Sequence, residues 1–200
     1  MNEKFFDLKK EKQDRMINAA LKVFAENGYG HASTDEIVAE ASISKGLLFH
    51  YFGSKLGLYA FLFDYSTRFA ILELNSGVAK EECDFYSLQQ QLAEAEVSIC
   101  RQFPYLLLFL ESAATERVEE ARLAIEPSRH QVPNCYHNLA ARADCSSLGK
   151  NSDAAKLARM IRYTKLGLLK KHLREETFSP DALYREIADY LALLQRLMLK

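Results

Sequence analysis

Four side chains capable of proton or hydrogen-bond chemistry, Lys45, His50, Tyr51 and Lys55, crowd into "SISKGLLFHYFGSK", residues 42–55. No carboxylate shares the stretch. The acid-free run extends from Ala41 to Phe63, in a chain that otherwise balances 26 Lys and Arg against 27 Asp and Glu. Cations, a phenol and aromatic rings without acids suit a polyanion better than a covalent reaction. Ammonium and hydroxyl groups donate to phosphate oxygens, which repel carboxylates. A second grouping is His130, Cys135, His137 and Cys145, all soft-metal ligands by type and within 16 residues of one another. Their spacing follows no zinc pattern, and residues two apart diverge on a helix. Two buried thiols and two surface histidines are expected there, with no metal. Gly-rich phosphate loops, G-x-S-x-G and H-E-x-x-H are all absent. The adjacent carboxylates Glu81/Glu82 and Glu119/Glu120 would diverge on a helix. The reading is not an enzyme, and no cofactor is called for.

The elements that must position the basic stretch are helices. Only four prolines and eight glycines interrupt Leu/Ala/Glu/Lys/Arg-rich runs, and strict alternation is hard to find. The fold class is all-α. Ile17, Ala20, Leu21, Phe24 and Ala25 make an amphipathic stripe over 14–26, which "NGYG" (27–30) stops. Ser33 and Glu36 form a capping-box pattern for a short helix at 34–41. "SIS" turns the chain, Ser44 caps a helix at 45–51, and Ser54 caps a long one reaching about Leu74. Helical patterns follow near 84–101, 104–116, 117–142, 153–174 and 180–199. Pro127 and Pro133 should kink or split the third of these, "SSLGKNS" (146–152) reads as a loop, and Ser179-Pro180 starts the last helix. Residues 1–53 form a small N-terminal unit and 54–200 a larger helical body, connected by the helix that begins at 54. The N-terminus lacks an apolar signal region and "YLLLFL" is too short to span a bilayer, so a cytoplasmic chain with no membrane partner is expected.

Helices at 34–41 and 45–51 with a three-residue turn between them suggest helix-turn-helix. Ile37, Val38, Ala41, Ile43, Leu48 and Phe52 fold the second helix over the third. Lys45, Gly46, Leu47, Phe49, His50 and Tyr51 are left around the rest of the third. A formal net charge of −1 gives no bulk affinity for nucleic acid, so binding must come from this local pattern. Thr34, Ser44 and Lys55 lie at helix starts, where N–H groups meet phosphate. Gly46 would let a DNA backbone approach. Leu47 can touch a thymine methyl but cannot hydrogen-bond a base. "KKEK" (9–12), interleaved with acids, reads as a flexible solubilising terminus.

"TDEIVAEASISKGLLFHYFGSKLGLY", with the preceding "ALKVFAENGYGHAST", resembles the N-terminal domain of the tetracycline-repressor (TetR) family of bacterial transcriptional regulators. Thr34, Ile37, Ala41, Ser44, Gly46, Leu48, Tyr51, Phe52, Ser54, Lys55 and Leu58 stand at the family's motif positions. Ser42 replaces its turn glycine, Leu47 a small polar residue and Phe49 a frequent tyrosine, which should shift sequence preference. The resemblance implies a ligand-responsive regulator, more often a repressor, that leaves a palindromic operator on double-stranded DNA when a largely apolar small-molecule effector binds. It implies a homodimer through the last two helices. Leu183, Ile187, Tyr190, Leu191, Leu194, Leu197 and Met198 form one apolar stripe there. Leu157, Met160, Ile161, Thr164 and Leu168 form another. It also implies an effector pocket, for which Phe103, Tyr105, Phe109 and Tyr163 are the expected lining. Residues 154–174 carry many cations and no acid. A helical adaptor or membrane-surface protein is the alternative they raise, against pairing with Glu81, Glu82, Asp84, Glu94 or Glu96 of the same fold.

Overall fold

The helix boundaries follow from side chains that satisfy the first free N–H groups. In the computed structural model, which describes residues 3–146, 148, 153–175 and 177–198, ten helices are seen among those residues. They are α1 Lys10–His31, α2 Thr34–Ala41, α3 Lys45–Phe52, α4 Lys55–Gly77, α5 Phe85–Gln102, α6 Leu106–Ala114, α7 Glu119–Ile125, α8 Gln131–Ala140, α9 Ala154–His172 and α10 Pro180–Met198. Extended pairing among the described residues is confined to an isolated bridge, Asp84 with Asp144. No described helix is long and apolar enough to cross a membrane. Most of the loop expected at 146–152 lies outside the described residues.

Ser33, Ser44, Ser54 and Ser179 accept from Asp35, Leu47, Gly57 and Ala182 N–H groups, as their positions predict. Asp153 does the same for α9 through Lys156 N–H. At Ser33 the partner is the second helical residue, Asp35, rather than the Glu36 N–H of the expected capping box. The 117–142 stretch is split, as its prolines require, into α7 and α8 on either side of a turn holding Pro127. Pro133 sits in the first turn of α8, where the missing N–H has no intrahelical acceptor to lose.

Two expectations at the N-terminus are corrected. Residues 10–12 of "KKEK" are not a loose terminus but the first turn of α1, with Lys10 paired to Asp14 at 2.8 Å. A 3-10 turn, Glu3–Phe5, precedes it and seats a fully buried Phe5 against Tyr51, Phe52 and Phe61. The stop at "NGYG" is real but brief. Gly28 takes φ 66°, ψ 174°, a conformation open only to glycine, and the chain re-enters helix to His31.

The described chain forms two compact units. One contains residues to Phe69 together with Phe103–Gln131, and the other Ala70–Gln102 with residues from Val132 onward. In the first unit α1 packs on α2 and α6, and α2 on α3. Its core joins Leu21 and Phe24 of α1, Ile37 of α2, Leu48 of α3, Tyr59 and Leu62 of α4, and Phe109 of α6. Phe24, Tyr59 and Phe109 meet edge-on or tilted, with centroids 5.1–6.2 Å apart.

In the second unit α10 packs on α5 and α9. Leu74, Val78, Leu88, Leu92, Ala95, Cys135 and Leu139 form one apolar cluster. Beside it lies an ion pair closed to water. Lys165 Nζ donates to both Glu96 oxygens at 2.8 Å, and Tyr136 Oη donates to Glu96 Oε1 at 2.9 Å. Lys165 and Glu96 are each 7% exposed. Burial, then the Glu96 charge, holds the Tyr136 phenol well above its usual range, so it remains a donor.

Candidate nucleic-acid interface

The turn between α2 and α3 shows how the sequence fixes the angle of the two helices. Ser42 sits at φ 52°, ψ 51°, in place of the glycine usual at such a turn. Ser42 N–H donates to Ala39 C=O at 3.1 Å and Ile43 N–H to Val38 C=O at 3.0 Å. Those two bonds make a Schellman motif, which satisfies the last carbonyls of α2 and turns the chain sharply. Ile37, Ala41 and Leu48 are then buried between the helices, and Val38, Ile43 and Phe52 half-buried, in line with the expected core.

That packing leaves Lys45, Gly46 and His50 exposed on α3, with Leu47, Phe49 and Tyr51 half-buried beside them. A Cβ built at Gly46 would meet nothing within 4 Å, so this part of the helix surface is open. Ser44 Oγ accepts from Leu47 N–H at 3.2 Å, which aligns the N-terminal turn of α3. Thr34 is half-buried in the first turn of α2. No carboxylate lies on α3 itself, but one reaches it from α2: Asp35 pairs with Lys45 at 2.8 Å. Both side chains are solvated, so the pair is weak and a phosphate can displace the carboxylate. Asp35→Asn is expected to free the Lys45 ammonium. It should tighten binding to any DNA duplex about two- to threefold and steepen the salt dependence, measured by titrating a labelled duplex across a salt series.

Lys55 does not project freely. Its Nζ lies 4.6 Å from the centroid of the Tyr29 ring, a cation–π contact that fixes the ammonium at the start of α4. Tyr29 is buried, and its hydroxyl donates to Glu120 Oε1 at 2.7 Å. Burial and that bond push the phenol up to about 12. Gly57 brings α3 and α4 together: a Cβ there would lie 2.1 Å from the Phe52 carbonyl oxygen. No sequence signal marked Tyr29, Glu116, Glu120 or Gly57 for this corner. The first three meet across 87 and 91 residues of chain.

The expected pocket residues are dispersed. Phe103 and Phe109 are fully buried in the aromatic core of the first unit. Phe103 meets Tyr65 and Phe69, and Phe109 meets Phe24, Tyr59 and Phe63. Tyr105 is half-buried, its phenol raised first by burial and then by Glu26. Tyr163 belongs to the second unit and is 64% exposed. The cysteines are free thiols: Cys100 and Cys135 are buried, Cys83 and Cys145 exposed. The exposure of Cys145 corrects the expected pair of buried thiols, while His130 and His137 are exposed as expected. Among the described residues no three His, Cys, Asp or Glu side chains gather as metal ligands.

Comparison with known proteins matches residues 16–61 to the family model "Bacterial regulatory proteins, tetR family". The chain is 30% identical over 125 residues to the HTH-type transcriptional regulator YuxN of Bacillus subtilis. That match covers 61% of this chain and 43% of the relative, so it spans less than half the relative's length. Two solved structures show the same fold. A TetR family transcriptional regulator from Chloroflexus aurantiacus has TM-score 0.68 and 22% identity, over 99% of this chain and 98% of that one. The ketosteroid transcriptional regulator KstR2 of Mycobacterium tuberculosis has TM-score 0.71 and 16% identity, over 96% and 97%. The matched segment holds α2, the Ser42 turn, α3 and the start of α4, the same residues whose geometry makes the open basic face. Residues 16–61 thus match the tetR family of bacterial regulatory proteins, and the chain that carries them has the all-helical fold of those two structures.

Proposed function

We propose that the chain is a cytoplasmic, ligand-responsive transcriptional regulator, a repressor that binds palindromic double-stranded DNA as a homodimer and leaves it when a largely apolar small molecule binds the helical body. The observation that carries this reading is the open face of α3, which has no acid of its own and leaves Lys45, Gly46 and His50 exposed with Leu47 beside them. A helix presenting that face enters a major groove without placing a carboxylate of its own between the phosphate rows. Thr34, Ser44, Lys45, Tyr51 and Lys55 meet phosphate and sugar. Gly46 admits the backbone. Leu47, Phe49 and His50 lie nearest the bases. Phe103, Tyr105 and Phe109, which share the first unit, remain the proposed effector contacts, while Tyr163, exposed on the second unit, is assigned to the homodimer surface instead. The small DNA-reading unit ends near residue 53, and α4 connects it to the body.

The homodimer is supported by apolar side chains left in solvent on α9 and α10: Met160, Tyr163, Tyr190, Leu193 and Leu197 are each 45–70% exposed. A second copy covers them by a two-fold axis, which matches the symmetry of a palindrome. The membrane-surface alternative loses ground because α9 is not a free basic face. Lys165 is buried on Glu96, Lys171 and His172 share Glu186 at 2.7–3.0 Å, and Lys156 pairs with Asp153. Of the five acids expected to meet this helix, Glu96 does so, through Lys165. Selection of duplexes from a random pool tests the reading. It should return a palindrome whose half-sites lie about one helical turn apart, and Leu47→Gln should change the half-site sequence more than the affinity. A pool that stays random after selection contradicts it.

A further inference from the structure

Glu116, in the turn between α6 and α7, is bound on both carboxylate oxygens. Oε1 accepts from the N–H groups of Arg117 and Val118, each at 2.8 Å. Oε2 accepts from Tyr29 N–H at 2.9 Å. One half of the carboxylate therefore closes its own turn, and the other holds the residue after Gly28, where α1 breaks. Burial pushes the Glu116 carboxyl up, but the N–H groups of Val118, Tyr29 and Arg117 and the Lys55 charge outweigh it. The net direction is below the usual range, so the group is ionised at neutral pH.

Two further contacts complete the corner. Glu120 of α7 takes the Tyr29 hydroxyl, and the Tyr29 ring face carries the Lys55 ammonium. Gly28 takes a conformation that glycine adopts without strain, and Glu116 holds, across 87 residues of chain, the N–H of the residue that follows the break. The α6–α7 corner thus fixes Tyr29, and Tyr29 fixes the position of Lys55.

We propose that Glu116 is a positioning residue for DNA binding: by holding Tyr29 it sets where Lys55 meets the phosphate backbone, so the α6–α7 corner tunes the affinity of the reading head. The proposal rests on the reading of Lys55 as a phosphate contact. A purely structural Glu116 would stabilise the fold without any dependence on Lys55, and a double-mutant cycle separates the two.

The experiment uses the full chain and a duplex selected from a random pool. Glu116→Gln turns part of an acceptor into a donor facing N–H groups, and should weaken binding about fivefold. In the Lys55→Ala background the same change should cost less than about twofold, because the ammonium it places is gone. Glu120→Ala, on the exposed face of α7, loosens the ring without touching the backbone contacts. It should give about a threefold loss that also disappears without Lys55, and it serves if Glu116→Gln melts below the assay temperature. Losses that simply add to that of Lys55→Ala, or wild-type affinity in both variants, overturn the proposal and leave the DNA-binding reading standing. A wild-type chain that selects and binds no duplex overturns both.

Discussion

Lys165→Met is expected to lower the melting temperature by roughly 10 °C, because it strands Glu96 as a buried charge without its partner. Breaking a buried pair from one side typically costs about 3–5 kcal/mol, whereas the intact pair contributes little net stability after desolvation. Tyr136 would still donate one hydrogen bond to Glu96, but a neutral phenol cannot balance the charge. Adding Glu96→Leu should recover part of the loss, since it removes the stranded charge but leaves the Tyr136 hydroxyl without its acceptor. Thermal melts followed by circular dichroism check both. A Lys165→Met chain that melts like the wild type at neutral pH would mean that water reaches Glu96.

Tyr163→Glu combined with Leu197→Glu is expected to convert the proposed homodimer to a monomer and to weaken palindrome binding about 10²–10⁴-fold. The size of the effect comes from effective concentration: once one reading head is bound, its partner is held over the second half-site. Both side chains are largely in solvent, at 64% and 70% exposure, so the substitutions should leave the subunit folded. Light scattering on a sizing column reports the mass, and titration of a half-site against a full palindrome reports the coupling. The monomer should bind the two duplexes nearly alike. A variant that remains dimeric places the interface elsewhere.

Local features of the fold were legible in the sequence because their causes are local. Ser33, Ser44, Ser54 and Ser179 cap helices with side chains that reach only two or three residues onward. Pro127 marked the split between α7 and α8 for the same reason. The tight turn at Ser42 was legible from its place between two apolar patterns, although the residue is not glycine. Features held across the chain were not legible. Phe5 and Phe6 lie among charged neighbours in sequence, and the rings of Tyr51, Phe52 and Phe61, distant in the chain, pack against Phe5. Helix α1 resumes after Gly28 because Glu116, far along the chain, holds Tyr29. The acid-free α9 was legible as a helix in need of carboxylates. Asp153, three residues before Lys156, supplies one locally, but that Glu96 and Glu186 supply others depends on packing that no local pattern encodes. Met160 was placed in one stripe with Leu157 and Ile161, yet those two are buried and Met160 is 59% exposed, because it lies about 100° round the helix from Ile161.

The proposed DNA interface is legible to the same degree: the face of α3 was, and the way Lys55 is held was not. The central claim is that this face enters a groove lined by phosphates. Gly46→Glu tests it most directly. The position is exposed, has open space around it and a helical backbone, so glutamate should leave the melting temperature unchanged or raise it by a degree or two. The same carboxylate would stand between phosphate rows on binding. Measured by anisotropy on the selected palindrome, the variant should lose at least about 100-fold in affinity while melting like the wild type. A Gly46→Glu chain that binds that duplex as tightly as the wild type would show that α3 does not enter DNA.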